Sequence, residues 1–487
     1  MGDIFSRSLK LLEEIGSLYQ VIQGGMGIGV FRSGAVRNAS MNGIIGSNSG
    51  IGLEQLMTRE LRLGDSTGNI RSALKEFPNQ ELTSRIIQRY LVEGKSTPFP
   101  TFEMVGDDSN LIKFKNRHLE ELLVVSNFVE VNLSKRGHDN PVAINYLHKV
   151  QWPLLPSIFG AMLAGVDLLL IGAGLPKEIP AVLDDFSEGR GTIAPISVIG
   201  DKQFSISFDP LGIVEDYKKL DRPLFFGIIS NHLGVKALPN VDGYIVEGWP
   251  AGGHSAPARS KGLNENGEPD YGSKDEMDFK ILKGILERRF EKTGVNQPWL
   301  LAGGYAGRLK EARALGASGI QVGSPFGLAR ESSVLFDLKE QGKNLIMNAK
   351  EGEEPVYTDP LFSPSGFPFK LLQIDGTLSS KEINERENTA CKYGYLVELY
   401  EHNGKVLTRC PAELKSSYMK KGGDPNETDG RGCICSGLSA NVGFGNPGEP
   451  SVATAGSDLE DIRNIIKRVG STDYTTKDVI DYIYRDE

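Results

Sequence analysis

Short apolar runs recur along the chain, and most end in glycine or a small polar residue. Val21-Ile22-Gln23 precedes Gly24-Gly25, and Gly43-Ile44-Ile45 precedes Gly46-Ser47-Asn48. Val142-Ala143-Ile144-Asn145 follows, then Asp167-Leu168-Leu169-Leu170-Ile171 before Gly172-Ala173-Gly174. Leu224-Phe225-Phe226-Gly227-Ile228-Ile229 and Asp242-Gly243-Tyr244-Ile245-Val246-Glu247 come next. Trp299-Leu300-Leu301-Ala302 and Gly319-Ile320-Gln321-Val322 complete the series. Apolar runs separated by helical patterns are the mark of parallel strands covered on both faces. Eight of them predict an α/β fold, a closed (β/α)8 TIM barrel, with an open doubly wound sheet as the alternative.

Three stretches exceed a minimal barrel. Residues from about 54 to 140 carry a charged helical pattern and the proline-containing segment Ser96 to Phe102, too long for a simple strand-to-helix connection. They predict an inserted helical subdomain or lid. Residues 191–210 alternate, as in Phe204-Ser205-Ile206-Ser207-Phe208, and predict an inserted hairpin. The barrel is thus expected within residues 1–350. Residues 351–487 form a C-terminal appendage ending in an acidic helical tail around Ile462 to Tyr484.

Glycine makes up 58 of 487 residues, about 12% against a typical ~7%. Without a repeat to explain it, this points to tight turns and close backbone approaches. Net charge is −9, with no basic run to neutralise phosphates, so a nucleic-acid partner is not expected. The run from Phe159 to Leu175 is broken by Asp167 and by glycines, which favours helix-then-strand over a membrane span. The N-terminus is amphipathic and lacks the apolar stretch of a signal peptide. Its first six residues, Met1 to Ser6, fit a myristoylation pattern, but so short a pattern is cheap. A cytoplasmic protein acting on a small molecule is expected, with self-association left open.

The strongest chemical signal is Glu247-Gly248-Trp249-Pro250-Ala251-Gly252-Gly253-His254, directly after an apolar strand. Residues after barrel strands lie at the catalytic face. Paired glycines admit a ligand close to the backbone, and histidine moves protons near neutral pH. The other histidines (His118, His138, His148, His232 and His402) lack such a setting. The second signal is Ala302-Gly303-Gly304-Tyr305-Ala306-Gly307 followed by Gly316 to Ser324. Two glycine-rich strand-to-helix turns at the last two strands make a phosphate cradle of backbone N–H groups. Gly443-Phe444-Gly445-Asn446-Pro447-Gly448 matches G-x-G-x-x-G formally, but it follows no strand and contains a proline, so it reads as loop.

Together these residues resemble the nitronate monooxygenase family, formerly 2-nitropropane dioxygenases, of FMN-dependent TIM barrels. The matching pieces are Ile22-Gln23-Gly24-Gly25-Met26-Gly27, Gly43-Ile44-Ile45-Gly46, Ile144-Asn145, Gly172-Ala173-Gly174-Leu175-Pro176, Ala251-Gly252-Gly253-His254, Ala302-Gly303-Gly304 and Gln321-Val322-Gly323-Ser324. The same pattern covers flavin-dependent enoyl-thioester reductases. The resemblance implies that Gly24, Gly25 and Met26 line the flavin ring and that Asn145 bonds its polar edge. Gly252, Gly253, Gly303, Gly304, Gly323 and Ser324 would hold the cofactor, with Gln23 and Glu247 as second contacts. His254 would be the catalytic base or substrate-orienting group. The implied activity is oxidation of alkyl nitronates by flavin and oxygen. The alternatives are NAD(P)H-dependent enoyl-thioester reduction and a non-catalytic flavin-binding partner subunit. The chain departs from the family in having Gly24-Gly25 where a proline commonly follows the first glycine. Arg259 brings a cation near the site, though a solvated arginine explains it as well.

All four cysteines (Cys391, Cys410, Cys433 and Cys435) lie in the appendage. Clustered thiolates suit zinc or an iron–sulfur centre, yet the spacing shows one C-x-C and no C-x-x-C, so no metal is assigned at this stage.

Overall fold

The computed structural model describes residues 6–91, 104–106, 110–215, 217, 219–350, 353–386, 391, 393–446 and 448–486. Eight short strands alternate with helices: β1 (Val21–Gln23), β2 (Gly46–Ser49), β3 (Val142–Leu147), β4 (Leu168–Gly172), β5 (Leu224–Ile229), β6 (Gly243–Glu247), β7 (Trp299–Ala302) and β8 (Gly319–Val322). Their ladder runs β1-β8-β7-β6-β5-β4-β3-β2, and every pair is parallel. The remaining gap closes where Ile22 bridges Ile45. There the Gln23 N–H donates to the Ile45 carbonyl at 2.8 Å and the Ile45 N–H to the Val21 carbonyl at 3.0 Å. The architecture is a (β/α)8 barrel.

Side-chain alternation divides the core in two. Ile22, Ile45, Leu168, Leu170, Phe226, Ile245 and Leu300 fill the barrel interior. Val21, Ile144, Leu169, Phe225, Tyr244, Leu301 and Ile320 face the helical layer. Burying each such side chain is worth about 1.5–3 kcal/mol, which accounts for the continuous apolar runs of the strands covered on both faces.

The second strand differs from its expected position. The apolar run Gly43-Ile44-Ile45 lies just before β2, which is Gly46-Ser47-Asn48-Ser49. The helix Ser33–Met41 crowds this strand: a Cβ on Gly46 would lie 2.3 Å from the Val36 carbonyl oxygen. Small residues are what fit there.

The inserted stretch carries helices Leu53–Arg62, Asn69–Leu74 and Gln80–Tyr90. It also contributes strands Met104–Gly106 and Leu111–Phe114. The latter pairs with Phe204–Phe208, itself antiparallel to Thr192–Ile196. The expected hairpin is therefore half of a four-stranded sheet, which suits the marginal stability of a lone hairpin. Helix Arg117–Ser134 is buried nearly all round and packs on helix Leu154–Leu163 in the barrel's own layer. Ser96 to Phe102, Met1 to Phe5 and Pro447 lie outside the described residues.

The appendage folds back over the C-terminal mouth of the barrel. Its hairpin Val356–Asp359/Phe369–Leu372 bridges the turn after β6, where Phe369 pairs with His254. The Lys370 N–H donates to the Gly253 carbonyl and the Ser255 N–H to the Pro368 carbonyl, both at 2.9 Å. Helix Thr476–Ile483 carries a capping box at Thr475 and Asp478. Just before it, the Tyr474 hydroxyl donates to the Pro325 carbonyl at 2.8 Å. Among the described residues no helix is long and apolar enough to cross a membrane.

Candidate active site

A cavity of about 670 Å³ opens at the C-terminal ends of the strands, within the range of small-molecule and cofactor pockets. Gly24, Gly25, Met26, Asn145, Glu247, Gly252, Gly253, His254, Gly303, Gly304, Gly323 and Ser324 all line it, and so does Arg259. Gln23 does not. Alternation along β1 turns Ile22 into the barrel and Gln23, with Val21, outward, where it is fully buried. Its side-chain Nε2 and Oε1 are buried there with no hydrogen-bond partner among the described residues.

The floor is polar. Asn145, Glu247 and Gln321 come from β3, β6 and β8, and Gly24, directly after β1, completes this layer. A Cβ on Gly24 would lie 2.7 Å from Gln321 Nε2, and one on Gly25 would lie 2.3 Å from Asn145 Cβ. The two glycines thus let the first strand's turn pass directly over side chains from β3 and β8. Asn145 Nδ2 donates to the Tyr146 carbonyl at 3.2 Å. Gln321 Oε1 is buried with no hydrogen-bond partner among the described residues, so it is available to a ligand donor.

Two ionisable groups, Glu247 and His254, line the cavity at this floor, and a third, Lys370, lies buried behind it. Burial pushes the Glu247 carboxyl up to about 7, against the opposing pull of Lys370. Burial lowers His254 to about 4, so the imidazole is neutral at pH 7. Its Nε2 shares a 2.7 Å hydrogen bond with Ser363 Oγ, which in turn bonds Ser365 Oγ at 2.7 Å. Phe369 meets the imidazole edge-to-face with ring centroids 5.0 Å apart. Lys370 is buried and lowered to about 8, with Glu268 and Glu247 opposing the shift. Its ammonium donates to Thr358 Oγ1 at 3.0 Å and lies 5.9 Å from the Trp249 and Tyr271 ring centroids. Those two rings stack at 5.3 Å.

At the other end of the cavity, Gly303 and Gly304 adopt positive φ of 92° and 79° in succession. Only glycine takes this path without strain. Beside them, Gly323 caps the short helix Ser324–Gly327. These turns present backbone without side chains, a surface on which a phosphate can meet N–H groups. The C-terminal chain borders the same cradle. Gly456 N–H donates to Ser324 Oγ and Gly253 N–H to Thr454 Oγ1, both at 2.8 Å. Ser324 keeps its hydroxyl proton for a ligand, whereas the Gly253 amide is committed to Thr454. Asp458 is the awkward neighbour: a Cβ on Gly304 would lie 2.5 Å from its Oδ2. Arg308 supplies the counter-charge at 3.3 Å. Bare glycine turns, the available Ser324 hydroxyl and the unpartnered Gln321 oxygen fit a phosphorylated cofactor with a polar ring edge such as FMN.

Sequence reasoning missed Lys370, Ser363, Gln321 and Asp458. The first two and the last belong to the appendage, and nothing local marks them as site residues. Gln321 was visible as the polar member of an apolar strand run. His118, His138 and His148 bond Tyr90, Ser134 and Glu178 respectively and do not line the cavity.

No known family model and no curated protein matches this chain. Solved structures similar to it include FabK from Thermotoga maritima, at 14% identity over 98% of this chain and 94% of that one, with a TM-score of 0.49. A nitroalkane oxidase from Streptomyces ansochromogenes is 11% identical over 98% and 97%, with a TM-score of 0.47. The enoyl reductase domain of MlnA from Bacillus amyloliquefaciens is 11% identical over 98% and 94%, with a TM-score of 0.48. Likeness this distant carries no function, and the barrel stands on the chain's own strand ladder.

Proposed function

We propose that this chain is an FMN-dependent oxidoreductase that oxidises alkyl nitronates with molecular oxygen. The observation that carries the reading is the convergence, in one cavity, of a glycine cradle at the last two strands with a buried carboxyl and a neutral imidazole. Gly303, Gly304, Gly323 and Ser324 would hold the cofactor phosphate, and Asn145 and Gln321 its ring edge. FMN, when bound, supplies the electron acceptor that side chains lack.

The chain's own groups then divide the remaining work. Glu247, raised to about 7, is partly ionised at neutral pH and is the better-matched base for the α-proton of a neutral nitroalkane. His254, lowered to about 4, is a weak base, and Ser363 holds its Nε2. It orients the substrate through the ring face and Nδ1. Lys370, buried behind the cavity wall, acts through Glu247 by favouring its ionised form, while Leu147, Ile228 and Phe367 offer an apolar wall to the alkyl chain.

NAD(P)H-dependent enoyl-thioester reduction is the second reading. It is favoured by the extra apolar wall of Leu396, Ile434 and Leu438, which suits a longer acyl chain. A pure flavin-binding scaffold has no use for the buried carboxyl and imidazole. The deciding experiment mixes flavin-loaded protein with NADPH without oxygen, then with a primary alkyl nitronate in air. Oxygen uptake on the nitronate, with no bleaching by NADPH, is expected. Rapid bleaching would transfer the assignment to the reductase, and failure to bind FMN would sink both.

A further inference from the structure

One wall of the cavity is unlike its polar floor. Ile28 and Ile51, from the segments after β1 and β2, line it together with Tyr395, Leu396, Ile434 and Leu438 of the appendage. Short distances join these residues into one surface. A Cβ on Gly27 would lie 3.2 Å from Leu438 Cδ2, so helix Ile434–Asn441 rests on the turn after β1. A Cβ on Gly52 would lie 3.0 Å from Ile28 Cγ2 and 3.4 Å from the Tyr395 hydroxyl oxygen. Leu438, Ile28 and Tyr395 are thus linked through Gly27 and Gly52.

The polar atoms on this surface are not offered to a ligand. The Tyr395 hydroxyl donates to the Glu54 carboxyl, which is buried and does not line the cavity. Trp152 stacks on the Tyr395 ring with centroids 5.9 Å apart, and its indole N–H donates to the Gly394 carbonyl at 2.6 Å. The ring is thereby held with its hydroxyl on Glu54. Cys435 lines the cavity beside Ile434, and burial pushes its thiol well up. It stays protonated and behaves as a small hydrophobe. Along the barrel rim the glycine cradle follows β7 and β8, whereas this wall follows β1 and β2. Apolar lining of this kind, continuous with a few placed polar groups, marks the part of a pocket that takes the apolar part of a ligand.

We propose that this wall is the binding site for a long alkyl chain, so that the preferred nitronates carry chains longer than propyl and short or polar-ended ones are poor substrates. The proposal rests on the reading of the cavity as the site of nitronate oxidation, but the chain site does not depend on which head group reacts.

The test compares primary alkyl nitronates from ethyl to octyl by oxygen uptake with the full chain. Each methylene buried against the wall should raise kcat/KM by about fourfold. Calorimetric titration with unreactive primary alkylamides of the same lengths should show Kd falling by a similar factor. Leu438→Asn should cut the octyl-over-ethyl preference by at least about tenfold, yet bind FMN within about threefold of wild type. Turnover with a flat series would overturn the proposal and leave nitronate oxidation standing. A rising amide series without turnover of any nitronate would keep the chain site and remove the nitronate reading. Loss of FMN from the variant with its chain preference intact would give the wall to the flavin ring and overturn the proposal. The wild-type series decides even if the variant fails to fold.

Discussion

Replacing His254 by asparagine should leave the cofactor-free chain relatively more stable in acid, and replacing Glu247 by glutamine should do the opposite. His254 is lowered from 6.5 to about 4 in the fold. Between those values the unfolded chain binds a proton that the folded chain refuses, so wild-type stability is lost as pH falls through this window. At about 1.4 kcal/mol per tenfold change in proton affinity, the loss is no more than about 3 kcal/mol. Glu247 is raised from 4.5 to about 7. Here the folded chain keeps a proton that the unfolded chain releases, so stability is lost as pH rises from 4.5 to 7, by a similar amount of about 3 kcal/mol. The two slopes oppose each other and largely cancel in the wild type. Urea unfolding of wild type, H254N and E247Q between pH 4 and 8 separates them, read as differences in midpoint at shared slope. H254N should gain on wild type as pH falls below 6.5, and E247Q should gain as pH rises above 4.5. A lost Ser363 hydrogen bond shifts the H254N curve by a constant and leaves its trend intact. Three parallel curves would refute the burial argument for both residues.

Other consequences follow from the same geometry. H254N should still bind FMN but turn over at least ~10²-fold more slowly, the low end for a lost proton-transfer or orienting group; unchanged turnover removes His254 from the reaction. Asp458→Asn should tighten FMN binding by about tenfold, or about 1.4 kcal/mol, because it removes an anion beside the phosphate cradle and releases Arg308. A fluorescence titration showing weaker binding would mean that Asp458 helps rather than opposes the cofactor. Gly25→Ala should cost about 1–3 kcal/mol in thermal or urea unfolding, since its Cβ would lie 2.3 Å from Asn145 Cβ. Wild-type stability in that variant would contradict the packing at the first strand. Lys370→Met should raise the pH at which kcat/KM reaches half its maximum, because Glu247 loses the cation that favours its ionised form; an unmoved profile would show that Glu247 is not the titrating group.

Much of the barrel was legible because strand burial on two faces and glycine at strand ends are local properties. Seven of the eight apolar runs overlap the strands they predict, and the turns after β6, β7 and β8 meet in one cavity. Two limits of local reading show at particular residues. Gly43-Ile44-Ile45 is apolar enough for a strand, but the ladder falls on the small polar residues that fit beneath helix Ser33–Met41. Gln23 belongs to the same motif as Gly24 and Gly25 but is buried off the cavity, because alternate residues of a strand point to opposite faces.

Residue order thus carries the succession of strands and turns, and with it the place where the chemistry gathers. The character of that place comes from long-range packing. Phe369, Lys370, Ser363 and Asp458 reach His254, Glu247 and Gly304 from more than a hundred residues away. They leave the imidazole neutral, the carboxyl near 7 and the cradle bordered by an aspartate. Proton affinity and ligand geometry depend on which distant groups exclude water and supply charge, and residue order does not carry that information.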